Sequence, residues 1–251
     1  MDSAFAAAVR RRLEEVLDPE LDESIVSLGF VRGLELKDSV LTVTLKLPTF
    51  WCAPNFAFIM AEDVRRALST LDGVREVRVA LEDHFAAEEV CGGVNLGKSF
   101  PETFPGEAES DLDALRDLFR RKGFIRRQEQ AIRTLADAGL SFGQICALRL
   151  ADLQLAGDRF IVAGEGGSVS VPAEPITRYL KRRSEFGLDA SPEGPLFVDL
   201  SGRPFTPEGL AAYLRRARLV RTSLEANVFL CRALLAARNA TEGGGQNVPH
   251  G

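Results

Sequence analysis

Apolar positions recur along this chain at two different spacings, and the changes of spacing divide it into elements. Phe5, Val9, Leu13, Val16 and Leu17 follow one another at helical intervals beside Arg10–Arg12 and Glu14-Glu15. They predict an amphipathic helix over residues 3–17, with Ser3 as N-cap and Asp18-Pro19 as its stop. Val31, Leu34 and Leu36 lead to a Lys37-Asp38-Ser39 turn. From Val40 to Leu47 apolar residues then alternate with Thr and Lys, the signature of a half-buried strand. Phe56, Ile59, Met60, Val64 and Leu68 return to the 3.6-residue period and predict a helix from Pro54 to Leu71. Asp72-Gly73 turns the chain into a strand, Val74 to Leu81, with Val77, Val79 and Leu81 on one face. The order helix, strand, strand, helix, strand describes a small α/β unit.

The pattern then changes character. Residues 83–109 hold Gly92-Gly93, Gly97, Pro101, Pro105 and Gly106 together with Phe85, Phe100 and Phe104, and read as an ordered, aromatic-anchored loop or a linker packed on the domain. Beyond Ser110 the period is helical again. Leu112, Leu115, Leu118 and Phe119 mark one helix, Ile125 to Ala138 a second closed by Gly139, and Phe142 to Leu150 a third. Strands are expected at Arg159–Ala163 and Ser168–Val171, a helix from Glu174 to Phe186, and a short strand at Pro195–Val198. Thr206-Pro207-Glu208 starts another helix, a last one is expected from Ser223 to Arg238, and residues 240–251 read as disordered.

Composition narrows the function classes. With 45% apolar and 27% charged residues the chain is an ordinary globular one. Its start lacks the basic-then-apolar order of a signal peptide and no apolar run is long enough for a bilayer, so a cytoplasmic location without membrane contact is expected. Residues 1–109 carry 11 Lys and Arg against 20 Asp and Glu, the remainder 20 against 16. The basic excess of the second part is too small to demand nucleic acid, which is not expected as a partner. Cys52, Cys91, Cys146 and Cys231 stand far apart with no CxxC pair, which argues against a disulfide framework and against a locally spaced zinc site. Of the two histidines His250 lies in the Gly-rich tail, so chemistry that needs imidazole falls to His84.

The segment Leu17-Asp18-Pro19-Glu20, followed by Ile25-Val26-Ser27-Leu28-Gly29-Phe30-Val31, resembles the opening of the metal–sulfur cluster assembly factor family, which includes SufT-like and PaaD-like proteins. The resemblance continues through the strand pair into Pro48-Thr49-Phe50-Trp51-Cys52-Ala53-Pro54, where that family carries a Thr-rich loop with a reactive Cys before a helix. It ends at the Gly73-Val74 turn and strand, and so covers residues 3–82. Ser27 stands where the family usually has Asp, and Cys-Ala-Pro replaces its Cys-Pro. What the resemblance implies is a non-enzymatic maturation role: assembling an iron or iron–sulfur centre held transiently at Cys52, and delivering it to a client metalloenzyme. The Trp-Cys and Asp-His-Phe combination is similar to accessory proteins of bacterial monooxygenases with diiron centres.

The residues carry chemistry of their own. A Cys ahead of a helix lies at the positive end of the macrodipole, which favours the thiolate that binds metal; read otherwise, Cys52 is a small apolar side chain beside Trp51 and Phe56. If the stretch Glu82–Cys91 is helical, His84 and Glu88 lie one turn apart on one face and can clamp one ion. Cys52, Asp83, His84 and Glu88 are therefore the candidate metal ligands, a set that suits iron or zinc better than magnesium. A charged segment capping the domain, with a solvated or hydrogen-bonded His84, is the alternative.

In the second part, Ala138-Gly139-Leu140-Ser141 through Leu148-Arg149-Leu150-Ala151-Asp152-Leu153 resembles the core of tyrosine recombinases (phage integrases), with further similarity at Gly164-Glu165-Gly166-Gly167, Val171-Pro172 and Pro195–Thr206. The catalytic set of that family is missing. Ser141 occupies the first arginine's position and Glu165 the lysine's, no histidine box follows residue 205, and Tyr179 and Tyr213 are not where the nucleophile stands. Arg215, Arg216, Arg218 and Arg221 form a basic stretch of the kind that is usually solvated.

Taken together the fold class expected is α+β. An assembly-factor domain occupies residues 1–90 and an aromatic-anchored linker 91–109. A catalytically inactive, mostly helical integrase-like domain with a small β-hairpin occupies 110–239, and a tail 240–251. The second domain is expected to recognise the client or to form a homo-oligomer; the other reading of the chain is a DNA-binding regulator derived from a recombinase.

Overall fold

The computed structural model describes residues 3–106, 112–164 and 167–243, without the side chains of residues 218–226 and 240–243. The chain divides into two compact units, Met1–Phe119 with Leu224–Gly251, and Arg120–Ser223. Both are mixed α and β. Among the described residues no helix is long and apolar enough to cross a membrane.

The first unit opens with helix α1 (Ser3–Glu14), whose Val9 and Leu13 are buried. A two-residue ladder follows, β1 (Leu17–Asp18) antiparallel to β2 (Glu23–Ser24). It is too short to leave a periodic trace and was not expected. Strands β3 (Val31–Lys37) and β4 (Val40–Lys46) form the predicted hairpin, helix α2 (Pro54–Leu68) crosses over, and β5 (Glu76–Glu82) pairs parallel to β4. The sheet order β3-β4-β5 puts β4 in the centre. Leu41, Val43 and Leu45 of β4 stand in register with Val77, Val79 and Leu81 of β5, so one face of the sheet is continuously apolar. The helices bury their own stripes against it, and the resulting core contains Phe30, Phe58, Ile59 and Val64, each at most 2% exposed.

Residues 87–104 are more regular than a linker. Helices α3 (Ala87–Asn95) and α4 (Phe100–Thr103) pack Val90, Val94, Phe100 and Phe104 into the same core. Asn95 closes the open edge of the sheet: its Oδ1 accepts from the N–H of Val79 at 2.8 Å and its Nδ2 donates to the carbonyl of the same residue at 2.9 Å.

The two helices expected over residues 112–138 are one, α5 (Asp113–Asp137). Gly123 inside it costs about 1 kcal/mol against alanine, too little to break a helix whose following turns are buried. The helices expected at 206 and 223 are likewise one, α8 (Pro207–Gly243), because no Gly or Pro interrupts the chain between Leu210 and Glu242. The start of α5 and the end of α8 belong to the first unit: Leu112 and Leu235 lie in its core, with Leu115, Val228 and Cys231 packed against it. Residues 244–251 of the expected tail, His250 among them, lie outside the described residues.

The second unit holds a three-stranded antiparallel meander, β6 (Leu153–Ala156), β7 (Arg159–Gly164) and β8 (Gly167–Pro172), rather than a two-stranded hairpin. Helices α6 (Phe142–Ala147) and α7 (Ala173–Glu185) join it. The strand expected at Pro195–Val198 is reduced to single bridges, Arg149 with Pro195 and Val198 with Pro204. Phe124, Tyr179 and Phe197 centre the core. The Tyr179 hydroxyl donates to the Leu196 carbonyl at 2.9 Å and accepts from Gln128 Nε2 at 3.1 Å, which makes it a buried structural tyrosine. Ser141 caps α6 by accepting from the N–H of Gln144 while Gln144 Oε1 accepts from the N–H of Ser141. Glu165 and the side chains of Arg218 and Arg221 lie outside the described residues.

Candidate functional site

Because β4 and β5 run parallel and stay in register to Lys46 and Glu82, the segments after them leave the sheet at the same end. In α/β sheets the carboxyl ends of parallel strands are where side chains from separate loops converge. Here residues 47–53, which carry Cys52, meet residues 83–86. Pro54 opens α2 and Ala53 caps it in an extended conformation, so Cys52 stands just outside the helix start.

The second segment holds the first through its backbone. The N–H of Phe85 donates to the Phe50 carbonyl at 3.2 Å, and His84 Nε2 lies 2.8 Å from the Cys52 carbonyl. The N–H of Ala86 donates to His84 Nδ1 at 3.2 Å. An amide N–H can only donate, so the ring proton is on Nε2 and is given to Cys52. His84 is 5% exposed, and burial lowers its pKa further than the bond to Cys52 raises it. The imidazole is thus neutral and engaged at both nitrogens.

The other expected ligands are placed differently. Asp83 takes a left-handed backbone conformation (φ 51°), and its carboxylate pairs with Arg238 and with Lys46 Nζ at 3.9 Å. Helix α3 begins only at Ala87, so His84 and Glu88 are not one helical turn apart on a common face, and Glu88 is exposed. The structure brings Cys52 and His84 together, through a carbonyl, and does not gather the four. Among the described residues no group of three or more His, Cys, Asp or Glu side chains is arranged to hold a metal ion.

The electrostatics at Cys52 also differ from the expectation of a stabilised thiolate. Burial, and after it the charges of Asp18, Cys231 and Glu20, push the thiol up to about 12, against a smaller lowering by the N–H of Ala53. One helix-end N–H does not offset desolvation beside acidic groups, and the resting sulfur is protonated. Asp18 is 8% exposed and accepts from the N–H of Leu21 at 2.8 Å, yet burial carries its carboxyl up to about 6. Cys231 is pushed up to about 11 by burial, Asp18 and Glu20. Asp18 and Glu20 were visible in the opening motif. Cys231 was not, because nothing in the periodicity of α8 says which part of the fold it meets.

At the surface beside Cys52, Phe50, Trp51 and Phe85 form one aromatic group, with ring centroids 4.8 Å apart for Phe50 and Trp51 and 5.6 Å for Trp51 and Phe85. Trp51 is 75% exposed.

The first unit thus presents a half-buried thiol beside the acidic side chains of Asp18 and Glu20, at the carboxyl end of a parallel strand pair. A family model described as iron-sulfur cluster assembly protein matches residues 6–80. The chain is 34% identical over 80 residues to the Fe-S protein maturation auxiliary factor YitW of Bacillus subtilis, covering 32% of this chain and 76% of that protein. It is 31% identical over 83 residues to an uncharacterized protein of Methanocaldococcus jannaschii, 33% of this chain and 85% of that one. To the iron-sulfur cluster carrier protein of Synechocystis it is 40% identical over 72 residues, 29% of this chain and 20% of that longer protein. The chain belongs to the iron–sulfur cluster assembly protein family.

Proposed function

We propose that this protein takes part in the assembly or delivery of an iron-containing centre, an iron–sulfur cluster or a diiron site, with Cys52 as the sulfur that holds the cargo in passing and a client metalloenzyme as the acceptor. The observation that carries the reading is the setting of Cys52. Its loop is fixed by His84 and Phe85 at the carboxyl end of β4, while its thiol is half-buried among acidic groups. A protonated thiol does not hold iron at rest; an arriving cation displaces the proton and is attracted by Asp18 and Glu20. Holding of this kind is reversible, as handover requires. The relatives named for maturation and carriage support the same reading, and with it a non-enzymatic role. The second unit, in this reading, recognises the client or makes a dimer.

The test is the iron and sulfide content, with the absorption spectrum, of anaerobically purified and reconstituted protein beside Cys52→Ala. Iron retained by the unaltered protein and lost from the variant supports the reading. No uptake under reducing conditions by the unaltered protein removes it.

A further inference from the structure

The last stretch of α8 brings a second cysteine to the end of the sheet where Cys52 lies. Val228, Cys231, Leu235 and Arg238 follow at intervals of three and four residues, which places them on one face of the helix. Three independent contacts fix that face on the first unit. Leu235 is 4% exposed and its Cδ2 lies 3.4 Å from where a β-carbon on Gly29 would stand. Arg238 Nη1 donates to the Leu47 carbonyl at 2.9 Å, at the root of the Cys52 loop, and Nη2 donates to the Asp83 carbonyl at 3.1 Å and to its carboxylate. Val228 and Cys231 pack on the same core cluster as Cys52. The helix is thereby pinned to both loops that build the site, with Cys231 one turn before Leu235.

We propose that Cys231 is the second thiol of the Cys52 site, supplied in cis by α8 from outside the stretch that the family model covers, and that the two sulfurs together grip a thiophilic cation or cluster. The inference rests on the reading of Cys52 given above. Electrostatics agree with the placement: Cys231 is among the groups that act on Cys52, and Asp18 and Glu20 act on both. Thiolates select iron–sulfur clusters, zinc and other soft ions over magnesium or calcium. Two sulfurs from one chain leave further positions on the cargo open, since no third His, Cys, Asp or Glu joins them among the described residues in an arrangement that holds a metal ion. Open positions are what permit exchange with an incoming acceptor, in contrast to a closed four-ligand structural site. On binding, each thiol gives its proton to solvent as its sulfur bonds to the cation; no oxidation or reduction takes place.

The test uses the full-length, anaerobically reduced protein titrated with Co²⁺ alone and followed by the thiolate-to-cobalt absorption band, beside Cys52→Ser, Cys231→Ser and the control Cys146→Ser. The expected result is a band in the unaltered protein and the control. Each site variant keeps about half of its intensity or less and half-saturates at about tenfold higher cobalt or more, since a direct ligand matters at least as much as the groups that orient one. A Cys231→Ser protein with the full band and unchanged half-saturation, while Cys52→Ser loses both, overturns the inference and leaves the Cys52 reading standing. No band in the unaltered protein overturns both. A metal-independent measurement guards against misfolded variants: with Cys91 and Cys146 replaced by Ser, a short bis-maleimide should join Cys52 to Cys231 in the native protein, and failure to do so also overturns the inference.

Discussion

His84 Nε2 meets the backbone carbonyl of Cys52 across 2.8 Å, and its Nδ1 is occupied by the N–H of Ala86. The residue that spacing offered as a metal ligand is here the brace of the loop that carries the thiol. A brace of this kind governs where the sulfur points without touching what the sulfur binds.

Replacing His84 by Ala leaves the Cys52 carbonyl and the Ala86 N–H without their partner, and the expected loss is about 1–3 kcal/mol in urea unfolding at pH 7.5 with the denaturant slope unchanged. The pH dependence has a definite sign. Burial holds the folded pKa of His84 below its ordinary 6.5, so its contribution to stability is complete above that value and is lost as pH falls through the folded pKa. Protonation would set two N–H groups against each other at Nδ1. His84→Ala should remove this slope, and an unchanged slope would assign it elsewhere.

Asp18 acts in the opposite direction. Its carboxyl is raised from 3.8 to about 6, chiefly by burial, so the folded protein binds this proton more tightly than the unfolded chain does. The stabilisation is fully present below about pH 4 and is lost as pH rises through about 6, an effect on the order of 2–3 kcal/mol. Asp18→Asn keeps an oxygen for the N–H of Leu21 and carries no charge, so it should raise stability at pH 7.5 and flatten the curve between pH 4 and 6. It should also weaken cobalt uptake at Cys52, because it removes the charge nearest to that sulfur in effect. Stability measured by urea unfolding across that range checks the first, and the cobalt titration the second.

Much of the first unit is legible in the residues. The alternation from Val40 to Leu47 and the helical stripe of Phe56, Ile59, Met60, Val64 and Leu68 specify β4 and α2, because each buries a single face. The β1–β2 ladder was not legible, since two residues make no period. The spacing of His84 and Glu88 misled for a local reason: Asp83 turns the chain through a left-handed conformation and α3 starts three residues after His84. The thiolate expected at Cys52 fails for a tertiary one, because the helix end is next door in sequence, whereas the burial of the thiol and, after it, the charges of Asp18, Cys231 and Glu20 arrive only through folding. The pattern beyond Thr206 predicts two helices where α8 is one, and only the contacts of Leu235 and Arg238 show that its end serves the first unit.

Trp51 is the chain's single tryptophan and stands beside the thiol, 75% exposed. Its emission should be that of a solvated indole, readily quenched by acrylamide, and Co²⁺ bound at Cys52 should quench it further. Cys52→Ala should abolish the second quenching and leave the first. Trp51→Phe should change stability by no more than about 0.5 kcal/mol, because little of the ring is buried. A large destabilisation in urea would show that the exposed aromatic group is structural.

The arm that carries Cys231 is held by Arg238, and its removal separates shielding from folding. Arg238→Ala deletes the donors to the Leu47 and Asp83 carbonyls and one partner of the Asp83 carboxylate, which keeps Lys46. Leu235 still anchors the helix one turn earlier, so the expected cost in global unfolding is small, about 1–2 kcal/mol. Local opening is a different quantity, set by the few contacts that the arm itself makes. Alkylation of Cys52, followed on its own peptide by mass spectrometry, should therefore quicken several-fold in Arg238→Ala, with faster amide exchange in α8 beyond Val228 and little change in the sheet. Leu235→Ala should do the same more strongly, because it leaves a void against Gly29. If alkylation of Cys52 is unchanged in both variants while exchange in the arm rises, the helix moves without guarding the thiol, and its part in the site reduces to carrying Cys231.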